Sequence, residues 1–176
     1  MITWIYSFPF HTTLTLLALL YIFWHEFPKT NIGKQIQRHK KIEKVLCGTM
    51  LLTWFIMMCY ITLFSREEGN SGVALIPFHQ LRQVLNGGTR EILRSSWMNI
   101  LLFVPGGLLL SVFQPIRWPL WVKITFTIMV LTTVSMGIEY LQWCFQLGYA
   151  EIDDVLCNSC GACLGLFISK DHSVYL

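Results

Sequence analysis

Apolar residues in this chain come in long unbroken blocks, not in the short alternation of half-buried strands or the striped pattern of surface helices. The blocks are Thr3–Trp24, Val45–Phe64, Trp97–Phe113, Ile124–Phe145 and Ile152–Ser169. Each is about long enough to cross a ~30 Å hydrocarbon layer at 1.5 Å per residue. Trp97–Phe113 is compact and contains Pro105, and Ile152–Ser169 opens with acids, so both depend on neighbouring helices. In lipid, only helices and closed barrels satisfy their own backbone groups, and nothing here alternates like a barrel strand. The pattern predicts an all-α, polytopic transmembrane helical bundle of about five spans.

Composition supports this reading. The 176 residues are 54% hydrophobic and only 13% charged, too few charges to cover a water-exposed surface. The first block has no basic stretch before it and no small-residue cleavage site after it, so it reads as a span rather than a removed leader. The segment "EFPKTNIGKQIQRHKKIEK" carries six basic residues between Lys29 and Lys44, and alternation puts Arg117, Lys123 and Lys170 on the same side. Arg66, Arg82, Arg90 and Arg94 fall on the other. The positive-inside rule then predicts the N-terminus outside and the C-terminus inside. Beside two spans, the basic loop reads as a topological anchor on anionic lipid, not a nucleic-acid site. The expected organisation is a first span with its basic loop (1–44), a four-span domain (45–169) with a long outer loop (65–96), and a short inner tail (170–176).

Polar chemistry gathers on one side of this layout. "SSWMNILLFVPGG" places Asn99 just inside the membrane. "GIEYLQWCFQLG" puts Glu139 and Gln142 three residues apart, on one helix face. "EIDDVLCNSCGACLG" adds Asp153, Asp154 and Asn158, and Asp154, Asn158, Gly161 and Gly165 fall within about 60° of one another at 100° per residue. A carboxylate below the interface costs on the order of 2.5–3.5 kcal/mol, so Glu139 and Asp154 must face protein or water. Arg82, Arg90 and Arg94 are on the correct side to pair with them. These residues form either a ligand-handling cluster or a polar clasp between helices. Gly161 and Gly165 allow close backbone approach, a packing role, while Gly106 and Gly107 after Pro105 relieve a kink.

The C-x-x-C-x-x-C of Cys157, Cys160 and Cys163 invites comparison with an iron–sulfur site. On a helix, however, steps of three residues spread the sulfurs over about 120° and about 9 Å, so they cannot converge on one cluster. They read as small packing residues, with no cofactor or metal expected. In the outer loop, "EEGNSG" is a turn region and "IPFHQLRQVL" predicts a short amphipathic helix. Phe78, Leu81 and Leu85 share one face of it, and at the interface it is either a cover over the polar cluster or a surface connector. His79 has no sequence partner for a metal role.

Taken in order, "IPF", "MNILLFVPGGLLL", "EYLQ" and "EIDDVLCNSCGACLG" resemble the VanZ-like family. The matching positions are Pro77 and Phe78; Asn99, Phe103, Pro105 and Gly107; Glu139 and Gln142; and Asp154, Asn158, Gly161 and Gly165. The resemblance covers roughly residues 45–168, and the first span and basic loop lie outside it. Many family members carry an arginine shortly before the acidic pair; "LGYAEIDD" has none, and Arg94 is the candidate substitute. The resemblance implies a bacterial multi-pass inner-membrane protein. It also implies association with reduced susceptibility to teicoplanin, a glycopeptide with a lipid tail.

Three functions follow as expectations. The first is non-enzymatic: the outward cluster and amphipathic loop engage an amphiphile, a lipoglycopeptide or a lipid-linked wall precursor, among membrane lipid. The second is an enzyme acting on a lipid headgroup or lipid-linked phosphate, with Glu139 and Asp154 as acid and base or as carboxylates holding a divalent cation. It lacks a Ser-His-Asp set, a phosphate loop or an H-E-x-x-H motif. The third is an ion-coupled carrier; five spans without visible inverted repeats disfavour a monomeric one and leave room for a homodimer. The first is the preferred expectation.

Overall fold

The computed structural model describes residues 30–32, 34, 39–64, 69, 72–87 and 90–170. The first apolar block lies outside the described residues. The four remaining blocks are all helices, and among the described residues four helices are long and apolar enough to cross a membrane: Lys41–Phe64, Ile92–Ser111, Leu120–Cys144 and Ile152–Ser169. The chain is a helical membrane protein.

Helix α1 spans Lys40–Cys59 and ends in a π-helical turn, Tyr60–Phe64. A three-residue strand β1 (Gly72–Ala74) and the short helix α2 (His79–Leu85) follow. Then come α3 (Arg90–Ser111), α4 (Leu120–Cys144), strand β2 (Tyr149–Glu151) and α5 (Ile152–Lys170). Pro119 starts α4, where a missing N–H costs nothing. Gln146 and Gly148, both with positive φ (56° and 145°), turn the chain from α4 into β2. β1 and β2 pair in parallel, Gly72 opposite Tyr149 and Ala74 opposite Glu151. This pair ties the outer loop to the start of α5. The Tyr149 ring lies over Gly72, and a side chain there would push that exposed ring aside.

Glycine also sets the closest helix contact. A Cβ at Gly107 on α3 would be driven into the Ala162 carbonyl of α5; one at Gly161 would meet the Ile100 carbonyl, and one at Gly165 the Val104 carbonyl. With no hydrophobic force between helices in lipid, close backbone packing of this kind supplies the attraction. α5 is the central span: 44% of its apolar window is buried, against 17% for α1. α1 docks on α3 through Trp54, whose ring lies against Gly106, donates to the Leu102 carbonyl at 2.8 Å and meets Phe103 edge-on at 5.8 Å. Gly106 and Gly107 thus each face a neighbouring helix, a use beyond the kink relief that Pro105 suggests. The outer surfaces of the spans stay apolar, with Leu52, Phe55, Met129, Met136, Leu164 and Phe167 exposed to the lipid position.

Candidate functional site

One end of the bundle gathers the polar residues: the end of α1, the end of α4, the start of α5, the start of α3 and α2. α4 runs toward this end and α5 away from it. Asn158 Nδ2 donates to Ser135 Oγ at 2.8 Å, and Thr132 and Ser159 are 2.7 Å apart, so the register between the two helices is set. One turn nearer the end, Glu139 on α4 therefore lies at the level of Asp154 on α5. Ser135, Glu139 and Gln142 make a buried stripe on α4, and Asp154, Asn158, Gly161 and Gly165 its counterpart on α5.

The acids are withdrawn from the surface yet held by hydrogen bonds. Glu139, Asp153 and Asp154 are each only 7% exposed. Glu139 Oε2 accepts the Glu151 N–H at 3.0 Å, clamping β2 to α4. Asp153 accepts two backbone donors, Phe78 N at 2.6 Å and Gln80 N at 2.7 Å, and so caps the first turn of α2. That cap offsets a local cost, because Phe78 is held in the left-handed region at φ 60°. Gln80 joins the rest: its Nε2 donates to Glu151 Oε2 at 2.6 Å and Asp154 Oδ1 at 2.9 Å, while its Oε1 accepts from Ser96 Oγ at 2.7 Å. Gln142, 1% exposed, donates to the Thr62 carbonyl in the π-helical turn at 3.0 Å. π-Helical turns frequently sit at functional positions.

Among the described residues, three buried polar atoms at this end have no hydrogen-bond partner: Asn99 Nδ2, Gln142 Oε1 and Asn158 Oδ1. Leaving such groups unmatched costs about 1–3 kcal/mol each, so they mark places where a ligand or water would be welcome. Arg94 stands exposed near the start of α3, at the same end. Beside the acids opens a cleft of about 520 Å³, between α2, the start of α3 and the paired strands. His79, Gln80, Gln83, Ser95, Glu151 and Asp153 supply its polar lining and Ile76, Ile92 and Tyr149 its apolar one, with neither Lys nor Arg among the described lining residues.

The structure thus brings Glu139, Asp153, Asp154, Asn158 and Gln142 to one end, with Asn99 and Arg94 entering from α3. Sequence reasoning missed Gln80 and Glu151, which link the acids to the loop. The signal available was the spacing of Gln80 from Phe78 on the predicted loop helix, which put it on the face opposite the apolar residues. The helix through Cys157, Cys160 and Cys163 is unbroken, and Cys160 is exposed while the other two are half-buried. Among the described residues, no three or more His, Cys, Asp or Glu are placed to hold a metal ion.

The profile of the VanZ/LLP1 family matches residues 12–174. The match begins inside the first apolar block and takes in the basic loop, so the shared part reaches beyond residues 45–168 and is not confined to the last four spans as the motifs suggested. Among curated proteins, the chain is similar to "Protein VanZ" of Enterococcus faecium, 28% identical over 129 residues that cover 70% of this chain and 73% of that protein. No solved structure matches.

Proposed function

Because the chain belongs to the VanZ/LLP1 family, we propose that it is a membrane protein that engages an amphiphile at the outer leaflet. We further propose that this engagement lowers susceptibility to teicoplanin-type lipoglycopeptides. The observation that carries the reading is the cleft beside the buried acids, with carboxylate and amide acceptors on one side and Ile76, Ile92 and Tyr149 on the other. A molecule with a donor-rich headgroup and a hydrocarbon tail suits both surfaces at once. Cationic or hydroxyl-bearing headgroups gain from Glu151 and Asp153, whereas a bare phosphate meets two carboxylates and, among the described lining residues, only His79 as a group able to carry positive charge.

In this reading the polar end faces outward, consistent with the charge asymmetry of the loops. The bundle supplies rigidity and α2 with its strands supplies the contact surface. Glu139 and Asp154 hold the start of α5 and the cover in place, so their removal disturbs the cleft from beneath. Expression in a susceptible Gram-positive host tests the proposal. The teicoplanin threshold rises while the vancomycin threshold, set by a related molecule without the lipid tail, moves less. An unchanged teicoplanin threshold at confirmed membrane expression removes the resistance reading.

A further inference from the structure

α2 packs against the usual rule. An amphipathic helix on a protein normally turns its apolar stripe inward. Here Phe78, Leu81 and Leu85 are 58%, 53% and 76% exposed, and no residue of α2 is buried. What holds it is polar. Asp153 takes the Phe78 and Gln80 N–H groups, and the Gln80 side chain reaches Glu151, Asp154 and Ser96. Positive φ marks both ends of the segment, Phe78 at 60° and Gly87 at 84°, so the backbone can change direction on either side of it. Cys157, half-buried on α5, lies beside the Ser96 hydroxyl that donates to Gln80.

We propose that α2 is a cover over the Asp154 end of the site, latched shut by Gln80, which opens on its own hinges to admit the amphiphile. The inference rests on the ligand-handling reading above and adds a route of access to it. The apolar stripe stays in the membrane interface in both positions, so opening exposes no new hydrocarbon to water. Release breaks hydrogen bonds to carboxylates without dismantling a hydrophobic core. Elements held in this way sit at the low-stability end of a structure and supply its gates.

Cys157 reports on the cover directly. The full-length protein, with the other five cysteines replaced by serine, is reconstituted in phosphatidylcholine vesicles and labelled with N-ethylmaleimide. Gln80→Ala, which removes two hydrogen bonds to carboxylates and one from Ser96, is expected to speed Cys157 labelling by at least about tenfold, the factor for losing a single bond to a charged group. A second variant that keeps only Cys163, two turns deeper on α5, is expected to label at the same rate with or without Gln80→Ala. Asp153→Asn, which keeps the shape and weakens the cap, is expected to speed Cys157 labelling less than Gln80→Ala does. Unchanged Cys157 labelling in Gln80→Ala overturns the latch. Equal acceleration at Cys157 and Cys163 also overturns it, by showing general loosening. The readout needs no antibiotic, so a working latch with an unmoved teicoplanin threshold would refute the ligand reading alone.

Discussion

The two halves of α5 carry one continuous stripe and do opposite things with it. In the first half the stripe is Asp154 and Asn158, side chains that reach across to α4 and α2. In the second it is Gly161 and Gly165, where the absence of a side chain brings the α3 backbone into contact. The glycine half has no chemistry to offer. It fixes how far and at what depth α5 lies against α3, and that decides where the acids of the other half end up. The polar half is held by hydrogen bonds that a ligand can exchange for its own. Damage to the glycine half should therefore appear as lost fold, and damage to the polar half as lost function.

The largest expected effect follows from filling the seam. Gly161→Leu or Gly165→Leu forces a side chain into the α3 backbone, and thermal unfolding in detergent should show a loss well beyond the ~1–3 kcal/mol of ordinary overpacking. Asp153→Ala comes next. It removes the acceptor of two backbone N–H groups, and a local loss of about 2–4 kcal/mol should free α2, visible as faster amide exchange at Phe78 and Gln80. Asn158→Leu replaces a buried amide that is only half satisfied. Its cost should stay within about 1 kcal/mol, because losing the Ser135 bond is partly offset by removing an orphaned carbonyl. Gly137→Ala is the smallest. No neighbour lies within 4 Å of the added carbon, so about 0.5–1 kcal/mol of stabilisation is expected from helix propensity. A Gly137→Ala cost equal to that of Gly161→Leu would erase the contrast between the seam and the outer face.

Much of this contrast was legible in the sequence. The spans were set by apolar run length, which depends on bilayer thickness and little else, and the limits of the last four fall within about five residues of the apolar helices found, the first lying outside the described residues. The Asp154–Gly165 stripe followed from helix periodicity alone. The linkage of the loop to the acids was not legible in the same way. The β1–β2 pair is three residues long, carries no alternation, and forms only because the ends of α4 and α5 bring Tyr149–Glu151 beside Gly72–Ala74. Gln80 was hidden for the same reason: an amide on a short helix has no preferred partner until the tertiary fold supplies three. The amphipathic pattern of α2 was readable, and Phe78, Leu81 and Leu85 are left exposed, the arrangement an interfacial helix requires.

The central claim is that the buried acids at one end of the bundle shape a site for an amphiphile. Its most direct test is the teicoplanin threshold of cells carrying Glu139→Gln, Asp154→Asn or the unaltered chain, at matched levels in the membrane and with vancomycin in parallel. The account predicts that the unaltered chain raises the teicoplanin threshold and that either variant returns it to the level of the host. Full protection by both variants would contradict it.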